Sequence, residues 1–172
     1  MDAKLLSEEI NKTHDDFIGM ISKFNHEDLN AIPFAGSWTA GQVADHIIKS
    51  TDGIPDNNTR RVDRVPDEQV DAIKSTFLDF TAKFQAPEFV VPDGGPFETS
   101  SIIAELQRIK KQNVAIALTR DLTELCVDFA LPGSGYLTRY EWLKFTVYHT
   151  QRHIHQLKNI EDKVFQSKTK ST

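Results

Sequence analysis

Two histidines stand four residues apart in Tyr148-His149-Thr150-Gln151-Arg152-His153, inside a long helical pattern. Residues at that spacing share one helix face, one turn apart, so two imidazoles placed there can bind one divalent ion. Imidazole nitrogen suits Zn, Ni, Cu and Fe. A third ligand must come from elsewhere in the chain. His46 is the best candidate, because it lies one step from Val43 and Ile47 round its own helix, on the interior face or its edge. The competing reading is a set of hydrogen-bonded core histidines. Three inward imidazoles leave several polar nitrogens to satisfy, and a metal satisfies one nitrogen of each at once. Of the remaining histidines, His155 falls about 200° round the helix from His153 and belongs to another face. His14 and His26 sit in polar company and read as surface residues.

Other chemistry finds little support. No Ser-His-Asp or paired-carboxylate pattern stands out. Thr150 follows His149 where the zinc peptidases carry a glutamate, which disfavours peptidase activity. Asp93-Gly94-Gly95 has no following Lys-Ser/Thr and is a turn rather than a phosphate loop. Cys126 lies outside any motif and reads as core.

The elements that must place the histidines are helices. Apolar positions Leu6, Ile10, Phe17, Ile21 and Phe24 recur at helical spacing, predicting a first helix over 7–24 that Asn25-His26-Glu27-Asp28 ends. Thr39 and Gln42 form a capping box for the second, whose face is Val43 and Ile47. Pro66-Asp67-Glu68 opens a third, with Val70, Ile73, Phe77, Phe80 and Phe84 on one face, ending before Pro87. Phe89-Val90-Val91 is extended and then turned. Thr99 or Ser100 caps a fourth helix with Ile102, Ile103, Leu106, Ile109, Val114, Ile116 and Leu118. Residues 122–130 form a short extended or irregular stretch. Thr138 and Glu141 make a second capping box, opening a last helix over about 139–160. Its stripe is Trp142, Phe145, His149, His153, Gln156 and Ile160. Strands have almost no support, and an antiparallel helix bundle with two long connections is the natural packing answer.

A chain of 172 residues fits a single domain, here 1–165, with a polar C-terminal tail over 166–172. One cysteine cannot form an internal disulfide, which points to a reducing compartment. The net charge of −5 argues against nucleic acid as the main partner. No apolar segment of about 18 residues exists to span a membrane, and no signal segment follows Met1, so the cytoplasm is the expected location.

Three motifs, in order, carry a resemblance: Ser37-Trp38-Thr39-Ala40-Gly41-Gln42-Val43-Ala44-Asp45-His46, Gly135-Tyr136-Leu137-Thr138-Arg139-Tyr140-Glu141-Trp142-Leu143, and His149-Thr150-Gln151-Arg152-His153. Together they resemble the DinB-like superfamily, including its YfiT-type members, over essentially the whole chain. The resemblance implies an all-α four-helix bundle with His46, His149 and His153 as ligands of a divalent metal, Zn or Ni foremost. It implies a metal-dependent enzyme acting on a small molecule, as a thiol S-transferase using a low-molecular-weight thiol such as bacillithiol or mycothiol, or as a hydrolase. A homodimer is plausible for the family. The alternative is a non-catalytic, stress-associated metal-binding bundle. Three histidines leave a coordination position open, the pattern of catalytic sites, and lower the pKa of a water or thiol placed there. Around them, Asp45 points about 100° from His46 and reads as a solvated acid. Gln156 lines the pocket or meets a neighbouring helix. Trp38 packs over the site mouth or staples its helix. Arg152 attracts an anion or makes a surface ion pair.

Overall fold

The computed structural model describes residues 1–169, with side chains as far as Gln166. The first helix, α1 (Ala3–Ile21), starts earlier than the apolar pattern because Asp2 accepts the amides of Lys4 and Leu5 at 2.9 and 3.1 Å. It stops at Ile21, and Asn25 then caps a separate short helix, α2 (His26–Asn30), by accepting the Asp28 amide at 2.9 Å. The capping box of Thr39 and Gln42 opens α3 (Ala40–Thr51) as its sequence predicts. The last long helices are α5 (Thr99–Thr119) and α6 (Arg139–Thr169). Neither Thr99 nor Ser100 caps α5: the N-cap is Glu98, without a side-chain bond, and the Thr99 hydroxyl turns to the Phe24 carbonyl. α6 runs past Ile160 because Ile160 and Val164 stay buried against α1. Of the tail expected over 166–172, the backbone to Thr169 is therefore helical, and 170–172 lie outside the described residues.

These four helices make the bundle, α1 packing on α5 and α6, and α3 on the same two. Glu9 meets Lys144 at one end and Lys23 meets Glu161 at the other, so α1 and α6 run parallel. Thr51 and Asp52 at the end of α3 meet Asn113 and Arg108, while Gly41 at its start meets Phe97, so α3 and α5 also run parallel. The expectation of an antiparallel bundle is corrected to this extent. Long connections return the chain to its starting end, and so permit parallel neighbours. Gly41 is required by this packing, since a Cβ there would stand 2.6 Å from the Phe97 ring.

The core falls into two apolar clusters. One holds Phe17, Ile21, Phe24, Val43, Ile47 and Leu157; the other holds Leu6, Ile10, Ala117, Trp142 and Leu143. Between them along α1, α5 and α6 come buried polar residues, His14, Asn113 and Thr150. His14 is thus no surface residue: it faces the bundle, 1% exposed, and neither ring nitrogen has a hydrogen-bond partner.

The third predicted helix is cut to α4 (Val70–Phe77). Asp79 accepts both the amide and the hydroxyl of Thr81, turning the chain, so Phe80 and Phe84 leave the helix. Glu141 serves two helix starts: one oxygen accepts the Thr138 amide, completing the second capping box, and the other accepts the Gln69 amide before α4. The polar connection after α3 also holds a strand, β1 (Thr59–Arg60), paired antiparallel with β2 (Leu125–Cys126). Arg139 locks this corner through Asp56 at 2.7 Å and Glu124 at 3.0 Å. Among the described residues no helix is long and apolar enough to cross a membrane.

Candidate metal centre

The face of α6 that carries Trp142 and Phe145 turns inward, and it takes His149 and His153 with it. α3 brings His46 against them from across the bundle, and all three rings are buried. Their Nε2 atoms converge. His149 Nε2 lies 3.2 Å from His46 Nε2 and 3.1 Å from His153 Nε2. One ligand atom from each lies within 4.8 Å of the others, so the group could hold a metal ion. The three residues singled out from the sequence are thus brought together, and His155 and His26 stay outside the cluster. His155 is exposed and stacks on Phe80 at 4.2 Å, while His26 pairs with Glu98 on the surface.

The opposite edges of two rings are held by oxygen. His46 Nδ1 lies 2.7 Å from the Val90 carbonyl, and His153 Nδ1 lies 2.7 Å from Gln156 Oε1. A carbonyl oxygen only accepts, so each Nδ1 carries the hydrogen and each Nε2 keeps a bare lone pair. His149 Nδ1 has no such partner and is walled by aromatics, with Phe145 stacked at 5.1 Å and Phe77 edge-on at 5.5 Å. Burial keeps all three rings neutral. It is the main force holding His149 well below its ordinary value, with the other two histidines and Arg152 pushing the same way. His153 is pushed down to about 3, chiefly by burial and then by His46, against the Gln156 hydrogen bond. His46 is lowered by burial and partly restored by Val90.

These facts test the fit of a cation. Without one, His149 has a single hydrogen to offer two bare lone pairs, and donating it from Nε2 turns its own buried Nδ1 into an acceptor with no donor. A metal satisfies all three Nε2 atoms together. Two nitrogens bound tetrahedrally to one ion at about 2.0–2.1 Å stand roughly 3.3 Å apart, close to the spacing seen. Three neutral imidazoles suit a borderline ion, and the donor set has no thiolate or carboxylate.

The cluster opens onto a cleft of about 1020 Å³ lined by aromatic side chains. Trp38 lines the cleft with its ring 5.1 Å from that of His46 and also packs against the core cluster beside the start of α3. Asp45 pairs with Lys49 and accepts the Asp93 amide, leaving the His46 ring to Val90. Gln156 acts along its own helix rather than on a neighbour. Arg152 makes no ion pair among the described residues. Its guanidinium donates to the carbonyls of Phe77, Asp79 and Ala82 and covers the Phe84 ring, fixing the segment that walls the cleft. Cys126 is buried, with its thiol pushed up to about 12, as a core cysteine would be. The Val90 carbonyl and the role of Arg152 were not legible in the sequence. Val90 lies in a single 3-10 turn, Glu88–Val90, that packs on α3.

A four-helix bundle with three inward histidines on two of its helices defines a class of helical proteins with a candidate metal centre. The chain belongs to the DinB superfamily, which it matches over residues 9–157. It is similar to the "Uncharacterized protein YuaE" of Bacillus subtilis (strain 168), at 28% identity over 146 residues, covering 80% of this chain and 86% of the relative. No solved structure matches the chain.

Proposed function

We propose that His46, His149 and His153 hold one divalent ion, Zn or Ni foremost, and that the protein is a metal-dependent enzyme acting on a small molecule. The observation behind this reading is that three neutral imidazoles converge at the head of an open cleft. A purely structural metal is closed off by protein ligands, whereas a three-histidine set facing a cleft leaves room for a reactant. That weighs against a non-catalytic metal-binding bundle.

Of the two chemistries open to such a site, thiol S-transfer is favoured over hydrolysis. Hydrolysis would gain from a protein general base beside the water that the ion would acidify. Among the described cleft-lining residues the candidate bases outside the cluster are Asp52, tied to Arg108 at 2.8 Å, and His155, stacked on Phe80 at 4.2 Å. Thiol transfer needs no such base. An ion held by His46, His149 and His153 would supply Lewis acidity, lowering the pKa of a thiol brought to it. A thiol so acidified would give its proton to solvent and bond through sulfur to an electrophilic carbon, whose leaving group would depart with its electron pair. Val90 and Gln156 hold two of the rings in the tautomer that offers Nε2, and Phe77 and Phe145 keep water from the third.

Metal analysis by mass spectrometry on the purified protein, wild type beside His149→Ala, tests the reading. About one divalent ion per chain, lost in the variant, supports it and leads to screening thiols against electrophiles. No metal in the wild type after incubation with Zn and Ni overturns it.

A further inference from the structure

The chemistry of the cleft walls narrows the substrate, and this step rests on the proposed metal-dependent activity. Trp38, Phe77, Phe84, Phe129, Trp142 and Phe145 line the cleft around the three histidines. Phe34, Phe80, Phe84 and Phe89, all lining the cleft, are 53%, 46%, 54% and 65% exposed, a concentration of uncovered aromatic surface at one place. The lysine and arginine cations that line the cleft are Lys49, Lys83 and Arg152. Lys49 sits between Asp45 at 3.0 Å and Asp93 at 2.9 Å. Arg152 donates from its two terminal nitrogens to three backbone carbonyls of the cleft wall and lays its face on Phe84. Like Arg152, the exposed Lys83 lines the cleft without an ion pair among the described residues. The chain as a whole carries −5. Along the walls, away from the histidines, an anionic substituent would compete with the protein oxygens that already hold Lys49 and Arg152, whereas an uncharged ring loses little water and gains stacking area.

We propose that the substrate accepted by this cleft is a neutral, aryl-bearing small molecule, its ring held among the aromatic walls and its reacting group directed at the three histidines. A volume of about 1020 Å³ admits a molecule of drug-like size.

The chain has two tryptophans, Trp38 and Trp142, and both line the cleft, so its intrinsic fluorescence reports on this place. Two quenchers of one shape and opposite character make the test: 4-nitrobenzamide, which is neutral, and 4-nitrobenzoate, which is an anion. Each is titrated into the full chain stripped of metal. Saturable quenching by the amide, about tenfold or more tighter than by the carboxylate, is the expected result. Phe129→Ala weakens the amide, and Lys83→Gln weakens only the residual binding of the carboxylate. Circular dichroism checks that each variant folds. Equal or tighter binding of the carboxylate overturns the proposal, as does quenching that never saturates because a second copy covers the cleft, seen as a dimer by size exclusion. Because the protein is metal-free throughout, a failure here is distinct from a failure of metal binding, which metal analysis reads separately.

Discussion

Gln156 Oε1 lies 2.7 Å from Nδ1 of His153, one helical turn further along α6. One residue of the helix thereby sets which nitrogen its neighbour presents to the cluster. Such a contact orients a ligand without touching the ion, and its loss typically costs 10–100-fold in metal affinity. Gln156→Leu should therefore weaken zinc by about that factor, read by competition with a chromophoric chelator. Gln156→Glu, which keeps an acceptor, should restore affinity. Unchanged affinity in the leucine variant would remove Gln156 from the site.

Arg152 should matter through the wall it holds rather than through charge. Lysine cannot donate to three carbonyls in a planar fork, so Arg152→Lys should loosen residues 77–84. Hydrogen exchange there should speed up while the bundle core stays protected. A variant whose exchange matches the wild type would show that the segment holds itself.

His14 should make the fold sensitive to acid. Burial, chiefly, and nearby Lys110 push its pKa from 6.5 to about 4, against a smaller upward pull from Asp15. A depressed pKa means that the unfolded chain binds the proton first. Stability is full above pH 6.5 and falls as the pH drops from there towards about 4. The loss over that window is about 3 kcal/mol. His14→Leu should remove this part of the acid loss in urea unfolding followed across that range. An acid profile identical to the wild type would rule His14 out as its source.

Glu141 should be among the costliest single losses outside the cluster. Its carboxylate is fully buried, bonded at 2.6 Å to each terminal nitrogen of Arg64, and it accepts the amides of Gln69 and Thr138. Glu141→Ala should destabilise the fold by about 3–5 kcal/mol in urea unfolding. The double variant with Arg64→Ala should cost less than the two single losses together, because the pair acts as a unit. Additive costs would mean that the contact contributes little.

The histidine spacing on α6 and the capping boxes of Thr39 and Thr138 were legible from the sequence alone, because each depends on residues within one or two helical turns. Local periodicity also marked His46 as facing inward. The same local reasoning placed His14 on the surface and ran α4 on to Phe84, and both were decided by distant partners. His14 is buried because α5 and α6 close over α1, an arrangement set by helix direction that no single helix encodes. Phe80 and Phe84 became cleft walls because Asp79 turned the chain and Arg152, from α6, captured the carbonyls it freed. The Val90 carbonyl reaches His46 from 44 residues away, through a turn with no sequence signature. Short-range hydrogen bonds and apolar spacing thus wrote the helices and chose the histidines. Only tertiary packing decided which rings converge, what holds their far edges and what kind of cleft they face, because those contacts join segments that share nothing in sequence but their final burial.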